Sequence, residues 1–391
     1  MKYAYGEFDG DEFPTQDKLF GFDQLMNFIL EYGDQALKAM QQMMKNPQDD
    51  QVSDLLEQMI QDGMLDKDGK GKLKLTPKAV GKMQSKALME VFKNLKQGQR
   101  DGHEKVTAGA NGERMEGTKA YQFGDPISDL DFHQTLRNAM ARSAKDAGSA
   151  GPAAGGGKIN FAERDFEIYQ REGTTSTSTV VLIDMSGSMM RYGRFLSAKK
   201  VALAMLALVR QRFPQDTIDF VGFYSGASQI SEVQLPLTMP KPVTIYDYQV
   251  RLKVPLNQLD EAPQHFTNLH MGLQMARRIL RKRSGENKQV FIITDGQPTA
   301  HVDGEHCYLL YPPDPRSTAA TLKEAVKMAR EGARISTFAL IEDYYGMDWV
   351  GFVDQMTKLT KGVAFYTSSG ELADCIMESY LSGRKTKTHF A

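Results

Sequence analysis

A chain of 391 residues is too long for one ordinary hydrophobic core, so its length predicts two or three domains. Hydrophobic residues at 41% and charged residues at 25% fit a soluble globular protein, and the net charge of −1 excludes a general electrostatic attraction to nucleic acid or membranes. The presence of only two cysteines excludes a disulfide framework.

The first hundred residues show helical periodicity and then the alternation of a hairpin. Apolar residues at three- and four-residue spacing predict three helices, over residues 22–31, 35–45 and 49–62. Alternating lysine and leucine after a glycine-containing turn predicts a β-hairpin over 64–75. Thr76 and Pro77 then begin a fourth helix that ends near Leu95. We interpret residues 1–96 as a helical region that resembles a winged-helix module.

Two stretches that are poor in large apolar side chains follow, over residues 96–118 and 147–157. The second is rich in glycine and alanine, which predicts a flexible linker or an exposed loop. Between them, a capping box at 128–131 predicts the start of one helix. We therefore expect residues 97–157 to form an extended segment with one helix and a flexible linker, followed by a domain over 158–391.

Strands and helices alternate from Thr179 onward, after a short strand predicted over 166–169. The predicted strands cover residues 180–184, 217–223, 230–235, 289–294, 335–341 and 363–366. The predicted helices cover residues 195–212, 268–281, 319–331, 350–359 and 372–381. The strand over 230–235 is expected at an antiparallel edge. This alternation is typical of an α/β fold with a doubly wound, mostly parallel sheet, preceded here by a smaller helical domain.

Oxygen-bearing side chains follow two of the predicted buried strands. Asp184, Ser186 and Ser188 come at the end of the first, and Asp295 at the end of a later one. Thr267 stands just before a predicted helix. Ligands of open parallel sheets bind beyond the carboxyl ends of the strands, and hard cations such as Mg²⁺ prefer oxygen ligands. These five side chains are therefore candidates for a cation site.

The order of these residues resembles the metal-ion-dependent adhesion site (MIDAS) of von Willebrand factor type A (VWA) domains. Its elements are Asp-x-Ser-x-Ser, a loop threonine, and Asp-Gly after a later strand; the likeness covers about residues 174–382. The resemblance implies bound Mg²⁺ (or Mn²⁺) with three hydroxyl ligands, from Ser186, Ser188 and Thr267. It also implies two carboxylates that act directly or through water, Asp184 and Asp295. The residues before the threonine depart from the Gly-Gly often found there.

A narrower resemblance concerns segments outside the motif, including 119–126, 165–167 and 311–313. They are similar to bacterial VWA proteins related to the integrin-like subunit of magnesium chelatase and to CoxE-type (carbon-monoxide-dehydrogenase) accessory proteins. This resemblance implies a metal-dependent adaptor for protein–protein interaction, whose metal binds an Asp or Glu of a partner protein. The implied partners are a MoxR-class or chelatase-type AAA+ ATPase and a client protein.

The sequence favours a protein that is not an enzyme. Phosphoryl transfer of the haloacid-dehalogenase type needs a second Asp as general acid, where this chain has Ser186. His265 and His270 flank Thr267, and we interpret both as surface or packing residues. The sequence contains neither a complete phosphate loop nor a Gly-x-Ser-x-Gly elbow. Metal-dependent hydrolysis at the same site is the enzymatic alternative.

Two further clusters leave alternatives open. The lysine-rich hairpin and helix over 67–96 could contact DNA phosphates and so tether a scaffold to DNA or to a larger complex. Arginine is absent from 64–99, which disfavours base recognition, so intramolecular or partner docking is favoured over nucleic acid. The segment from His301 to Cys307 offers five possible metal ligands, but no zinc-like spacing completes it. It is either a second metal site or a polar loop.

The expected location is the cytoplasm. The acidic start lacks the apolar run of a signal peptide, and the apolar stretch at 201–209 is too short to span a membrane. Two cysteines, Cys307 and Cys375, suit a reducing compartment. Two expectations concern stability: a fragment from about Ile159 onward should fold by itself, and Asp295→Ala should leave folding nearly unchanged.

Overall fold

The computed structural model describes residues 16–45, 50–69, 71–94, 114–121, 130–146, 161–171, 176–285, 287–341, 350–382 and 389–390. The chain divides into two compact units. One unit combines residues 1–102 with residues 177–391, and the other consists of residues 103–176. The N-terminal region therefore belongs to the same unit as the α/β domain.

The N-terminal part contains the three helices, the hairpin and the fourth helix that the sequence predicted. These elements are α1 (Gln16–Tyr32), α2 (Asp34–Lys45), α3 (Asp50–Gln61), β1 (Leu65–Lys67), β2 (Leu73–Leu75) and α4 (Pro77–Asn94). Strands β1 and β2 pair antiparallel. Thr76 caps α4 as predicted, because its Oγ1 accepts a hydrogen bond from the Ala79 backbone N–H at 3.2 Å.

The unit formed by residues 103–176 contains β3 (Arg114–Ala120), α5 (Phe132–Asp146) and β4 (Glu167–Arg171), with β3 and β4 antiparallel. Asp131 caps α5, because its Oδ1 accepts the Gln134 N–H at 3.1 Å. The boundary expected between residues 157 and 158 falls inside this unit, since β4 pairs with β3. Ser128 and the Gly- and Ala-rich stretch over 147–157 lie outside the described residues.

A seven-stranded, mostly parallel sheet forms the centre of the larger unit. The strands of this part are β5 (Thr177–Asp184), β6 (Thr217–Phe223), β7 (Ala227–Ile230), β8 (Val250–Pro255), β9 (Asn287–Thr294), β10 (Ala300–Asp303), β11 (His306–Tyr311), β12 (Ala333–Leu340), β13 (Val363–Thr367) and β14 (His389–Phe390). The order across the large sheet is β14-β13-β12-β9-β5-β6-β7, in which the edge strand β7 is antiparallel to β6. The doubly wound fold predicted from the sequence is confirmed.

Helices cover both faces of this sheet. They are α6 (Arg194–Arg212), α7 (Leu269–Lys282), α8 (Pro315–Arg330), α9 (Val350–Thr360) and α10 (Leu372–Ser382). Val180 and Leu182 of β5 belong to the core with α7, α8 and α9, whereas Val181 and Ile183 belong to the core with α6 and α10. The period of two in a strand sends neighbouring side chains to opposite faces, so β5 contributes to both cores.

The N-terminal helices form a further layer outside α6. Met83 of α4 and Leu56 of α3 are buried in the same hydrophobic core as Val181 of the sheet. At the polar edge of this contact, Lys200 of α6 forms an ion pair with Glu90 of α4 at 3.0 Å. These contacts confirm docking of the lysine-rich helix within the chain. They contrast with the flexible attachment expected from the sequence.

A smaller antiparallel sheet, in the order β10-β11-β8, lies in the same unit. The segment from His301 to Cys307, expected as a loop, is the core of the β10–β11 hairpin. Burial does not alternate regularly over residues 300–311, and polar residues are frequent there, so the strand pattern was not evident from the sequence. Among the residues that the structure describes, no helix combines the length and apolar character needed to cross a membrane.

Candidate functional site

The two predicted carboxylates are brought together at the carboxyl edge of the central sheet. Asp184 is the last residue of β5, and Asp295 directly follows β9. These strands are parallel neighbours in the sheet, with Ile183 opposite Ile293. Their side chains therefore meet at the point where the direction of winding changes, which is where α/β sheets bind ligands.

Hydrogen bonds connect four of the five predicted site residues. The Ser188 hydroxyl donates to Asp295 Oδ1 at 2.8 Å, and Ser186 Oγ lies 3.2 Å from Ser188 Oγ. The Ser186 backbone N–H donates to Asp184 Oδ1 at 2.8 Å. The hydroxyl of Thr294, a residue that the sequence analysis did not select, donates to Asp184 Oδ2 at 2.6 Å. The oxygens of the Asp-x-Ser-x-Ser loop thus face the Asp295 loop.

Thr267 lies on the loop beside this cluster. The Gly187 N–H donates to the backbone oxygen of His265, two residues before Thr267, at 3.1 Å. The Thr267 N–H donates to Thr299 Oγ1 at 2.8 Å, and its backbone oxygen accepts the Thr299 N–H at 3.0 Å. The backbone of Thr267 is therefore fixed between the Asp-x-Ser-x-Ser loop and the segment that leads into β10.

The close packing of residues 241–243 explains the glycine inside the motif. The Lys241 N–H donates to the backbone oxygen of Met185 at 2.8 Å. A Cβ atom at Gly187 would lie 2.5 Å from Val243 Cγ2, closer than two carbon atoms can approach. A larger side chain at this position would displace either the motif loop or the segment that supports it.

The site contains two buried carboxyl groups and one buried arginine. Burial, and to a lesser degree the nearby charge of Asp295, raises the pKa of Asp184 to about 7. Asp295 is also buried and receives the Nη1 of Arg194 on its Oδ2 at 2.7 Å. The sequence analysis missed Arg194. Its signal is a basic residue at the first position of α6, where the helix dipole disfavours a positive charge.

The oxygen spacing fits a small hard cation. Neighbouring ligands of an octahedral Mg²⁺ ion with bonds of about 2.05 Å lie about 2.9 Å apart. The two hydrogen-bonded separations, 3.2 Å between the serine oxygens and 2.8 Å between Ser188 Oγ and Asp295 Oδ1, are close to that spacing, so a cation could replace the shared protons without moving these oxygens far. Within the described ranges, no group of three or more His, Cys, Asp or Glu side chains could hold a metal. The donor set of this site is instead two carboxylates and neutral hydroxyls.

The histidines near the site are packing residues. His270 Nδ1 accepts the Val302 N–H at 3.1 Å, and burial lowers the pKa of His270 to about 4. The ring of His265 stacks on Phe266 with ring centres 4.6 Å apart. Both rings therefore support the local backbone, as the sequence analysis interpreted them.

The β10–β11 hairpin does not gather its five possible ligands. His301 pairs with Tyr308, whereas Cys307 pairs with Val302, so His301 and Cys307 face opposite sides of the hairpin. His301 Nδ1 lies 2.9 Å from the Ser317 hydroxyl. Burial raises the pKa of the Cys307 thiol to about 12, which leaves it protonated. The arrangement favours a structural hairpin over a second metal site.

The central sheet, the helices on both of its faces and the position of the site at its carboxyl edge define a VWA domain protein. Residues 177–381 match the family model described as "Rv0959-like protein, vWA domain". Residues 113–171 match the third domain of the same proteins, within the separate unit of the fold. The chain belongs to the Rv0959-like family.

Relatives and solved structures extend this comparison. The uncharacterized proteins Rv0959 of Mycobacterium tuberculosis (strain H37Rv) and Mb0984 of Mycobacterium bovis are each 30% identical over 341 residues, 85% of this chain. The chain spans about half of these relatives, 45% of their length. The PilB minor pilin from Streptococcus sanguinis is similar at 16% identity and a TM-score of 0.40, over 56% of this chain and 65% of the pilin. The vWF domain of the type V pili tip protein Mfa5 from Porphyromonas gingivalis is similar at 15% identity and a TM-score of 0.36, over 56% of this chain and 99% of that domain.

Proposed function

We propose that this protein is a metal-dependent adaptor for protein–protein interaction. Its five site residues would hold Mg²⁺ (or Mn²⁺): Asp184, Ser186, Ser188, Thr267 and Asp295. The observation that carries the proposal is the chain of oxygens from Ser186 through Ser188 to Asp295, at the spacing of metal ligands. Bound Mg²⁺ supplies positive charge that a partner's Asp or Glu can coordinate. The hydroxyl ligands are neutral, so only the two carboxylates offset that charge.

Exposed apolar side chains near the site support a protein partner. They are Met190, Tyr192, Tyr246 and Tyr248, which are 56%, 60%, 84% and 94% exposed. The first two lie in the segment from Gly187 to Gly193, which directly follows the serines of the site. Tyr246 is three residues beyond Val243, the residue packed against Gly187, so their Cα atoms are at most about 11 Å apart. Exposed aromatic and methionine side chains are typical of protein interfaces.

The hydrogen bonds of the carboxylates support binding over catalysis. Asp184 accepts the Ser186 N–H on one oxygen and the Thr294 hydroxyl on the other. Asp295 likewise accepts Ser188 and Arg194. Each of these four oxygens accepts one hydrogen bond within the chain, and the proposed metal or its bound water would take the lone pair that remains, which leaves none for a substrate proton. We therefore propose a protein that is not an enzyme.

The partner is proposed from the sequence resemblance to chelatase- and CoxE-type proteins. It is a MoxR-class or chelatase-type AAA+ ATPase, with which this chain would act on a client protein. The cytoplasm is the proposed location, because a chain with only two cysteines, Cys307 and Cys375, suits a reducing compartment.

Calorimetry tests the metal site. We expect Mg²⁺ or Mn²⁺ to bind the wild type, and the Ser186→Ala/Ser188→Ala variant to bind at least about tenfold more weakly, because it loses two oxygen ligands. Ser231→Ala, an exposed serine after β7, is the matched control and should bind the metal normally. Unchanged binding in the double variant would place the metal elsewhere in the chain.

The ion pair of Asp295 with Arg194 leads us to expect that Asp295→Ala lowers stability, in contrast to the nearly unchanged folding expected from the sequence. Asp295 is the counter-charge of the buried Arg194, and a buried charge without its partner costs about 3–5 kcal/mol. The serine variants remove only neutral hydroxyls, so they separate metal binding from folding.

Affinity purification tests the partner. We expect an AAA+ ATPase to be retained by the wild type in Mg²⁺, released by a chelator, and not retained by Ser186→Ala/Ser188→Ala. If the ATPase is still retained after the chelator is added, or by the serine variant, the contact does not depend on the metal. Salt-sensitive binding to DNA would favour the tethered scaffold, and turnover of a substrate with Mg²⁺ would favour the hydrolase.

A further inference from the structure

Arg194 occupies a position in the site that the motif does not account for. It is the first residue of α6 and is only 8% exposed. Its Nη1 donates to Asp295 Oδ2 at 2.7 Å, while Ser188 donates to Oδ1 of the same carboxylate. The Asp295 carboxylate, a proposed metal ligand, therefore contacts a permanent cation through one of its two oxygens, because arginine stays protonated in proteins.

Two features of the surroundings of Arg194 bear on the role of its positive charge. The ring of Tyr192 lies over the guanidinium, 5.1 Å from its central carbon, which stabilises the cation. The Nε of Arg194 is buried and has no hydrogen-bond partner. The unpaired donor and the helix start both disfavour an arginine here, and the ion pair with Asp295 is the interaction that offsets them.

The net charge of the site shows how Arg194 would affect the binding of a metal and of an acidic partner. Asp184, Asp295 and Arg194 together carry one net negative charge when both carboxylates are ionised. A divalent cation converts this sum to one net positive charge, whereas the same site without the arginine would become neutral. The guanidinium therefore opposes binding of the metal but strengthens attraction for a carboxylate from outside.

We propose that Arg194 determines the specificity of the site, by lowering its affinity for the metal and raising the affinity of the metal-loaded site for an acidic side chain. This inference rests on the proposed metal site. It deepens that proposal, since the motif residues provide the ligands and Arg194 provides the excess charge that a partner's Asp or Glu neutralises.

The experiment measures two affinities of the full chain with defined probes. Mn²⁺ binding is followed by electron paramagnetic resonance, and binding of acetate to the Mn²⁺-loaded protein by water-proton relaxation. We expect Arg194→Gln to bind Mn²⁺ about tenfold more tightly and acetate about tenfold more weakly than the wild type. Arg194→Lys keeps the positive charge, so both affinities should return toward the wild-type values.

A folding defect in Arg194→Gln would be detected by circular dichroism. The same comparison is then made with Arg194→Met, which keeps the length of the side chain without its charge and leaves every proposed metal ligand in place. Weaker Mn²⁺ binding on loss of the arginine would make Arg194 a structural support, and equal affinities would give it no role; either result overturns the inference. Failure of the wild type to bind Mn²⁺ would instead refute the proposed metal site.

Discussion

The two helices that flank the central strand β5 differ in how they are covered. Helix α7 buries one face, including Leu269, Leu273 and Leu280, and exposes charged residues such as Arg278 and Lys282 on the opposite face. Helix α6 is buried over most of its length, from Phe195 to Val209. A helix that is apolar on all sides must be covered on all sides. The N-terminal helices therefore complete the α/β domain, because they cover the side of α6 that faces away from the sheet.

Helix α6 also carries a buried charge that contacts the N-terminal helices. Lys199 of α6 is fully buried, and its Nζ donates to the backbone oxygens of Leu30 at 2.7 Å and Pro236 at 3.1 Å. Leu30 lies in the last turns of α1, and Pro236 lies five residues before Lys241, which supports the motif loop. The N-terminal layer therefore contacts the same segment that contacts the candidate metal site.

Deletion of the N-terminal layer should have the largest effect. We expect residues 177–391 alone to aggregate or to lose cooperative unfolding, because the outer side of α6 would face water. Soluble yield, near-ultraviolet circular dichroism and binding of a hydrophobic dye measure this outcome. Replacing residues 103–176, the other compact unit, with a flexible linker is the matched deletion and should preserve cooperative unfolding. A fragment that unfolds at the wild-type temperature would show that α6 needs no second layer.

A single methyl group should weaken the contact between α1 and the 235–239 segment. Gly33 has φ +56°, and a Cβ there would lie 2.4 Å from the backbone oxygen of Leu237. We expect Gly33→Ala to lower the free energy of unfolding by about 3 kcal/mol, from the left-handed backbone and the clash together. Gly63 has φ +67° with no atom within 4 Å of a Cβ, so Gly63→Ala should lower it by only about 1 kcal/mol.

Denaturant titration of both alanine variants gives the difference. Equal effects at the two glycines would mean that α1 does not press on the 235–239 segment, and would weaken the link between the N-terminal layer and the site.

The smallest effect is expected from the pH dependence of the buried lysine. Burial lowers the pKa of Lys199 to about 7, against the opposing effect of Asp34, whereas an unfolded lysine has a pKa of about 10.4. Between these values the unfolded chain binds the extra proton, so the contribution of Lys199 to stability rises with pH. From about pH 7.5 to 9.5 the wild type should gain about 2 kcal/mol relative to Lys199→Met.

Urea titrations of both proteins across this range measure the effect, and other titrating groups cancel in the difference. A constant difference between the two proteins would show that Lys199 stays protonated on its two carbonyl partners.

Local patterns in the sequence were enough to predict the helices and most strands of the large sheet and the order of the site residues, but not the smaller sheet of β8, β10 and β11. The buried run at 180–184 predicted β5, and the fourth N-terminal helix was predicted from Thr76 and Pro77. Both are local signals, since periodicity and capping depend on residues a few positions apart. The placement of Asp184 and Asp295 side by side also followed, because the carboxyl ends of parallel strands share one edge.

The packing partner of each helix and the pairing of the buried charges could be learned only from the tertiary structure. The apolar sequence of α6 predicted a helix, but not that α4 would pack on its outer side, because the contact joins residues about 110 positions apart, as in the pair Glu90–Lys200. Arg194 likewise meets Asp295 across 101 positions, and no spacing rule connects them. Local periodicity fixes which residues form a helix or strand, whereas burial of the remaining apolar surface and pairing of buried charge depend on contacts that form only when the whole chain folds.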